Sequence, residues 1–519
     1  MVETLNNRFR HTQANMHRIA KNTIVLYCRQ LFTMMVNLYA VRVVLNVLGV
    51  EDFGIYNVVA GIVMLFSFLS GTMASATQRY FSFALGRQDQ SLLKKIFSTN
   101  LLIYLVIMFV AVILLETIGL WFVQNKLNVP ADRLASAVVL YHFSVLMFLS
   151  MICAAPFMAI IIAHEDMRLY AYVSIVEAML KLGAIFLLLY IPYEKLISYG
   201  VLLFLVSLVT TLMYVCLCRI KYEECSFRSL GVDRKLFREI FSFTGWTLFG
   251  QLSTVVRNQA VTVLLNQFFS PVIVSARAIA LNVSGSINVF SNNFNTSLYP
   301  PIIKQYAAGE KKGMFRLVFN GSKITFFLIW ILALPLLLRM DYVLNLWLKE
   351  TPQWAVLFTQ LAIVESLINS ISLPLGTAAR APGKMRMYEL SLGIIQIAIF
   401  PASWLVLACG KEVYTVFIVA IIANLVMFAV RLLLVHRLIG LPLKQFYFYV
   451  LLPVFGVIIC SGGPALLISV VLPEGFLACA VVGLVSLFFT SLGMYFIGLN
   501  KLQRQKIQSV VLEKIRVRI

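Results

Sequence analysis

Apolar residues along this chain come in long runs, about 20 to 28 residues each, separated by short polar or Pro/Gly-containing turns. A run of that length, coiled as helix, crosses the roughly 30 Å of hydrocarbon in a bilayer. The spacing predicts fourteen such helices: Thr23–Leu48, Phe53–Thr77, Ile96–Val123, Leu134–Ala163, Leu169–Tyr190, Leu196–Cys218, Ile240–Gln267, Val272–Tyr299, Leu317–Leu338, Trp354–Ala378, Met387–Ala408, Val413–Val435, Phe446–Leu472 and Gly475–Ile497. The pattern predicts an all-α polytopic membrane protein.

Polar positions inside three of these runs are themselves periodic. Thr247, Gln251, Thr254, Asn258 and Thr262 fall on one face of helix 7, with Arg257 beside them. Helix 8 aligns Arg277, Ser284, Asn288, Ser291 and Asn295, and helix 1 aligns Arg29, Thr33 and Asn37, with Arg42 a turn further on. An unsatisfied polar group in hydrocarbon costs several kcal/mol, so such stripes must face protein or water. Interhelical hydrogen bonding is one solution. The arginine in each stripe, a poor residue for that purpose, favours a shared hydrated cavity lined by these polar side chains.

The turns set an orientation. Lys and Arg concentrate on one side: the N-terminal arm with Arg8, Arg10, Arg18 and Lys21, the turn with Arg79, Arg87, Lys94 and Lys95, the segments Arg219–Arg238, Lys304–Arg316, Arg380–Arg386 and Arg431–Lys444, and the tail Lys501–Arg518. The other side holds only Lys126, Arg133, Lys195, Arg339, Lys349 and Lys411, a split of roughly thirty to six that places both termini in the cytoplasm. The longest internal hydrophilic stretch divides six helices from six. The expected organisation is an arm at 1–21, an N-lobe at 22–218, a linker at 219–239, a C-lobe at 240–436, two added helices within 437–499 and a tail at 500–519. Gly86–Phe97 and Gly309–Phe319 echo each other after helices 2 and 8, as repeated lobes would. Pro156, Pro335, Pro374, Pro401, Pro453 and Pro464 predict kinks, and Pro300–Pro301 is expected to end helix 8.

Composition sharpens this picture. With 519 residues, 61% hydrophobic and 13% charged, and a mean hydropathy of +0.89, the chain is outside the soluble globular range. The net charge of +21 reads as retained cytoplasmic Lys and Arg with attraction to anionic lipid, and needs no nucleic acid. The first apolar run is too long for a cleavable signal and is expected to stay as helix 1. The eight cysteines lie in or beside spans, in no metal-ligand spacing, so neither disulfide nor metal is expected. Outer turns of no more than roughly 15 residues leave little room for an extramembrane catalytic surface. No catalytic residue and no enzyme activity are expected.

Six cations, Arg29, Arg42, Lys181, Arg257, Arg277 and Lys323, sit inside the spans. Each costs about 2.5 to 3.5 kcal/mol on insertion scales, and the intramembrane acids, chiefly Glu116, Glu177 and Glu365, are too few to neutralise them. Glu177 and Lys181 stand four apart and are expected to pair, with ion or proton coupling as the alternative. Glu365 is free to titrate or to balance an arginine. His142 reads as a packing residue, and Lys323 as close enough to the basic side to snorkel. Counting along the helices puts Arg29, Arg257 and the pair Arg42 and Arg277 at successive depths. That ladder of permanently charged forks suits a diphosphate.

The stretches Leu48-Gly-Val-Glu-Asp-Phe-Gly-Ile-Tyr-Asn57, Ala76-Thr-Gln-Arg-Tyr-Phe-Ser82, Ser275-Ala-Arg-Ala-Ile-Ala280, Asn292-Asn-Phe-Asn-Thr-Ser297 and Pro301-Ile-Ile-Lys-Gln-Tyr-Ala-Ala-Gly309 resemble those of bacterial polysaccharide and O-antigen flippases. That family shares a superfamily with multidrug and toxic compound extruders and lipid II flippases. The resemblance implies two six-helix lobes in a V, a cavity lined by helices 1, 2, 7 and 8, and an undecaprenyl-diphosphate-linked oligosaccharide as substrate in the inner membrane. The alternatives are a drug or metabolite antiporter and a lipid II flippase. A monomer is expected, with a polysaccharide polymerase or assembly proteins as partners and no cofactor beyond a coupling ion, Na+ or H+.

Overall fold

Long helices connected by short turns make up the chain. The computed structural model describes residues 2–64, 66–126, 130, 132–226, 233–269, 271–348, 351–473, 475–499 and 504–505; the side chains of 2–17 and of Leu38, Val41, Leu45, Val50, Lys126 and Pro271 fall outside the description. Arg8 and Arg10 of the arm, Lys126, Lys349, positions 227–232 of the linker and all but two residues of the tail therefore lie outside the described side chains.

The helices are α1 Val2–Met64, α2 Ser67–Arg87, α3 Gln90–Asn125, α4 Leu134–Ala163, α5 Met167–Tyr190, α6 Lys195–Lys221 and α7 Arg234–Phe268, followed by α8 Pro271–Ala307, α9 Lys311–Trp347, α10 Ala355–Arg380, α11 Arg386–Ala408, α12 Thr415–Ile439, α13 Leu443–Val471 and α14 Phe476–Gly498. Twelve helices among the described residues are long and apolar enough to cross a membrane. The bent pair Glu51–Met64 and Ser67–Arg87 adds a thirteenth. The predicted helix 7 is present as the 35-residue α7, whose polar stripe and Arg257 keep it below that apolarity.

Three local expectations are corrected. Helix 2, expected as one run over Phe53–Thr77, is broken by a 42° bend between Met64 and Ser67, and ahead of it the chain kinks at Gly49 (φ 78°), where glycine tolerates the left-handed region. No proline marks that bend; a tightened turn, Phe66 N–H to the Val63 carbonyl at 3.1 Å, does. Pro300–Pro301 does not end helix 8, which runs on to Ala307. The two missing N–H groups leave the Thr296 and Ser297 carbonyls without their intrahelical donors but do not break the rod. Lys323 does not snorkel: it is 4% exposed and donates to the Gly498 carbonyl at 2.9 Å, capping the end of α14.

Other cations do the same job at other helix ends. Lys195 donates to the carbonyls of Leu188 and Ile191 at 2.8 and 2.7 Å, closing α5, and Arg339 donates to those of Ser469 and Leu472, both at 2.9 Å, closing α13. Each meets the negative end of a helix dipole, where unpaired carbonyls need donors.

Contacts divide the chain into two units, Met1–Leu252 with Tyr299–Lys311, and Ser253–Leu298 with Lys312–Ile519. The division falls inside α7 and α8. The reason is local packing. Phe243 of α7 stacks edge-on against Tyr80 of α2 with Arg79 above its ring, so the first half of α7 belongs to the first unit. The first unit packs around Val59, Leu115, Leu140, Tyr141, Ile152 and Leu188. In it, the Tyr141 hydroxyl donates to the Leu115 carbonyl at 2.6 Å, where α3 makes a π turn over Leu115–Gly119. The second packs around Leu265, Ile329, Ala333, Phe358, Ile363 and Val457. Between helices in lipid, packing and hydrogen bonds rather than water exclusion hold the contacts; Thr325 to the Ser370 carbonyl (2.8 Å) and Trp330 Nε1 to Ser461 Oγ (2.9 Å) are two of them.

Candidate functional site

Three helices of the second unit converge on one carboxylate oxygen. Arg257 Nη1 of α7 donates to Glu365 Oε1 of α10 at 2.9 Å, and Asn424 Nδ2 of α12 donates to the same atom at 2.9 Å. Arg257 Nη2 donates to Asn258 Oδ1 at 3.0 Å, while its Nε is buried with no hydrogen-bond partner among the described residues. The ion pair is enclosed, its two side chains 14% and 15% exposed. Arg277 of α8 lines the same pocket and donates to the Thr262 hydroxyl, which in turn donates to the Asn258 carbonyl at 2.8 Å. Apolar walls come from Val261, Leu281, Ile399, Val416 and Phe417.

Two guanidinium groups against one carboxylate leave the pocket with one uncompensated positive charge. In a medium of low dielectric that charge attracts an anion far more strongly than it would in water. The cavity measures about 30 Å³. The space is small, so a bulky anion enters only if Arg257 or Glu365 swings aside.

The remaining expected site residues fall into three groups. Arg29 is held in the first unit, Nη1 donating to Tyr170 Oη at 3.0 Å with its guanidinium 4.8 Å from that ring's centre, while Arg42 and Asn37 are exposed and Thr33 donates to the Gln30 carbonyl. Gln251 is exposed and also belongs to the first unit. On α8 the stripe is largely satisfied by helix contacts: Asn288 donates to Ser366 Oγ at 2.9 Å, Asn295 Oδ1 accepts from Thr377 at 3.5 Å, and Ser284 and Ser291 bond carbonyls of their own helix. Thr254 sits half-buried on α7. Glu177 and Lys181 pair at 2.6 Å, and Glu116 meets His142 at 3.2 Å, so each intramembrane acid has a basic neighbour. Arg257 and Arg277, expected on different rungs of a ladder, share one level.

Sequence reasoning passed over Asn424, Tyr170 and Ser366. Asn424 carried a readable signal as the lone amide in the apolar run of α12, since a polar side chain at membrane depth needs a partner. Tyr170 and Ser366 carried none, because tyrosine and serine are ordinary in spans.

This helical architecture is similar to that of several solved membrane proteins. The structure superposes on an outward-facing multidrug resistance MATE family transporter of the MOP superfamily with a TM-score of 0.71 at 14% identity, covering 82% of this chain and 95% of the other. A MATE protein solved in complex with MaD3S gives 0.70 at 14% identity over 82% and 96% of the two chains. A MOP superfamily transporter from Pyrococcus furiosus, described by the reversed polarity of its binding pocket, gives 0.66 at 13% over 82% and 95%. No curated protein matches by sequence. The fold is thus shared with these solved structures at 13–14% identity. The family model of polysaccharide biosynthesis proteins matches residues 19–306, more than half of the chain, and the chain belongs to that family.

Proposed function

We propose that this protein flips an undecaprenyl-diphosphate-linked oligosaccharide from the cytoplasmic to the outer leaflet of the inner membrane by alternating access. The observation that carries the reading is the pocket lined by Arg257, Arg277 and, among the described residues, one carboxylate, Glu365, which pairs with Arg257. A net cationic pocket at membrane depth fits a phosphate-bearing headgroup and repels the cationic drugs that an acid-lined extruder would take. Membership of a polysaccharide biosynthesis family supports a lipid-linked sugar as the substrate. In this reading a headgroup phosphate displaces Glu365 from Arg257, so substrate binding and carboxylate release are one event. Arg29 and Arg42 then serve the headgroup earlier or later in its passage.

The test is flux in vesicles holding the full-length protein and a fluorescent lipid-diphosphate oligosaccharide. Arg257→Ala and Arg277→Ala are each expected to lower initial flux at least tenfold while folded protein persists in the membrane. Normal flux in both variants, or robust transport of an organic cation with no lipid flux, overturns the reading. Imposed sodium, proton and voltage gradients in the same vesicles identify the coupling; one charge crossing 100 mV is worth about 2.3 kcal/mol.

A further inference from the structure

The substrate pocket makes no use of an ion-paired cluster in the first unit, on the basic side. Its hub is Glu165, in the turn between α4 and α5, whose φ of 64° lies in the left-handed region that side chains other than glycine rarely adopt. The Glu165 side chain is 6% exposed. Its Oε1 lies 2.7 Å from Lys304 Nζ of α8, and its Oε2 2.9 Å from Arg18 Nε of α1. The Glu165 carbonyl accepts from Asn22 at 3.2 Å and the His164 carbonyl from Arg18 at 3.3 Å, so the strained turn is fixed from both backbone and side chain.

A second set of contacts seats the same stretch of α8 independently. At Gly86, near the end of α2, an added Cβ would lie 2.6 Å from the Lys304 carbonyl oxygen and 2.9 Å from the Ala307 Cβ, so two helix backbones touch there with only hydrogen between them. Tyr299 Oη donates to the Ser75 carbonyl at 3.3 Å. This docked stretch contains Pro300–Pro301, which removes two rungs of the helical ladder and leaves a soft point.

We propose that Tyr299–Ala307 is a gate arm, hinged at Pro300–Pro301 and latched by the Arg18–Glu165–Lys304 triad, whose release lets the basic end of α8 leave its seat on α2. Close backbone packing at Gly86 gives the arm its fit but only short-range dispersion. The triad supplies the directional, charge-assisted bonds, so one carboxylate decides whether the arm stays down. The proposal rests on the reading of the protein as an alternating-access transporter, and not on which substrate it carries.

The test uses the full chain with native cysteines replaced and Ile303→Cys added, in inside-out vesicles, with a membrane-impermeant maleimide as probe. Ile303 is fully buried in the seated arm, and Ala137→Cys, fully buried in the first unit's core, is the control. Glu165→Gln and Lys304→Gln are each expected to speed labelling at position 303 about tenfold and to leave position 137 unlabelled. The exchange Glu165→Lys with both Lys304→Glu and Arg18→Glu, which keeps opposite charges facing across both contacts, is expected to slow labelling again. Unchanged labelling at 303 in both single variants, or equal acceleration at 137, overturns the latch. Absence of lipid flux in the parent protein with a normal labelling response in the variants refutes the proposed substrate and leaves the latch standing.

Discussion

Glu365 Oε1 accepts two hydrogen bonds at once, and this explains how a carboxylate and two arginines persist among apolar helices. Glu365→Gln keeps an acceptor but deletes the one negative charge that, among the described residues, lines the pocket with Arg257 and Arg277. It is expected to cost about 1 to 3 kcal/mol, read as a lower melting temperature in detergent. Crowding gives a second prediction: a Cβ at Gly119 would sit 2.1 Å from the Tyr141 hydroxyl and drive it off the Leu115 carbonyl. Gly119→Ala is therefore expected to cost about 1 to 3 kcal/mol by the same measurement. The arginines were legible in the sequence because a cation in an apolar run is costly and rare. Which carboxylate meets Arg257 was not, since the two stand 108 positions apart and only the fold brings them together.

At the scale of elements, the described residues of every predicted apolar run are mainly helical, because length and apolarity favour helix in lipid. What the pattern missed are features set by neighbours: the bend after Met64, the passage of α8 through Pro300–Pro301, and the cations that close helix ends. Lys195→Met should fray the end of α5 by about 0.3 to 1 kcal/mol, seen as faster amide hydrogen exchange just before Ile191, with the rest of the helix unchanged. The turn between α4 and α5 carries a pH prediction. Burial alone would raise the Glu224 pKa, yet the 2.6 Å bond with His164, its own backbone N–H and nearby cations pull it below its ordinary 4.5. A depressed carboxylate contributes stability that is complete above its unfolded pKa and is lost as pH falls through the folded one. Hydrogen exchange around Tyr222–Cys225 is thus expected to quicken as pH drops below about 4.5, and Glu224→Gln to remove that dependence.

For the whole molecule, the division of labour among the positive charges was not legible in the sequence. Lys195, Lys323 and Arg339 cap helices, Lys304 and Arg18 hold Glu165, and Arg257 with Arg277 form the pocket. The sequence also gave no hint that α7 and α8 are each divided between units, because a hydrophilic linker marks where lobes join in the chain and not where contacts fall. That division bears on how the protein is made. Synthesis runs from the N-terminus, and a first domain ordinarily folds as soon as it emerges. Here the first unit is incomplete until Lys311 has been added, since Tyr299–Lys311 is part of it and Lys304 supplies one of the two cations on Glu165. A nascent chain halted at Leu252 should therefore stay protease-sensitive near Glu165, whereas one halted beyond Lys311 should be protected. The growing chain must hold its first six helices ready through about 60 further residues, roughly 3 to 12 s of translation.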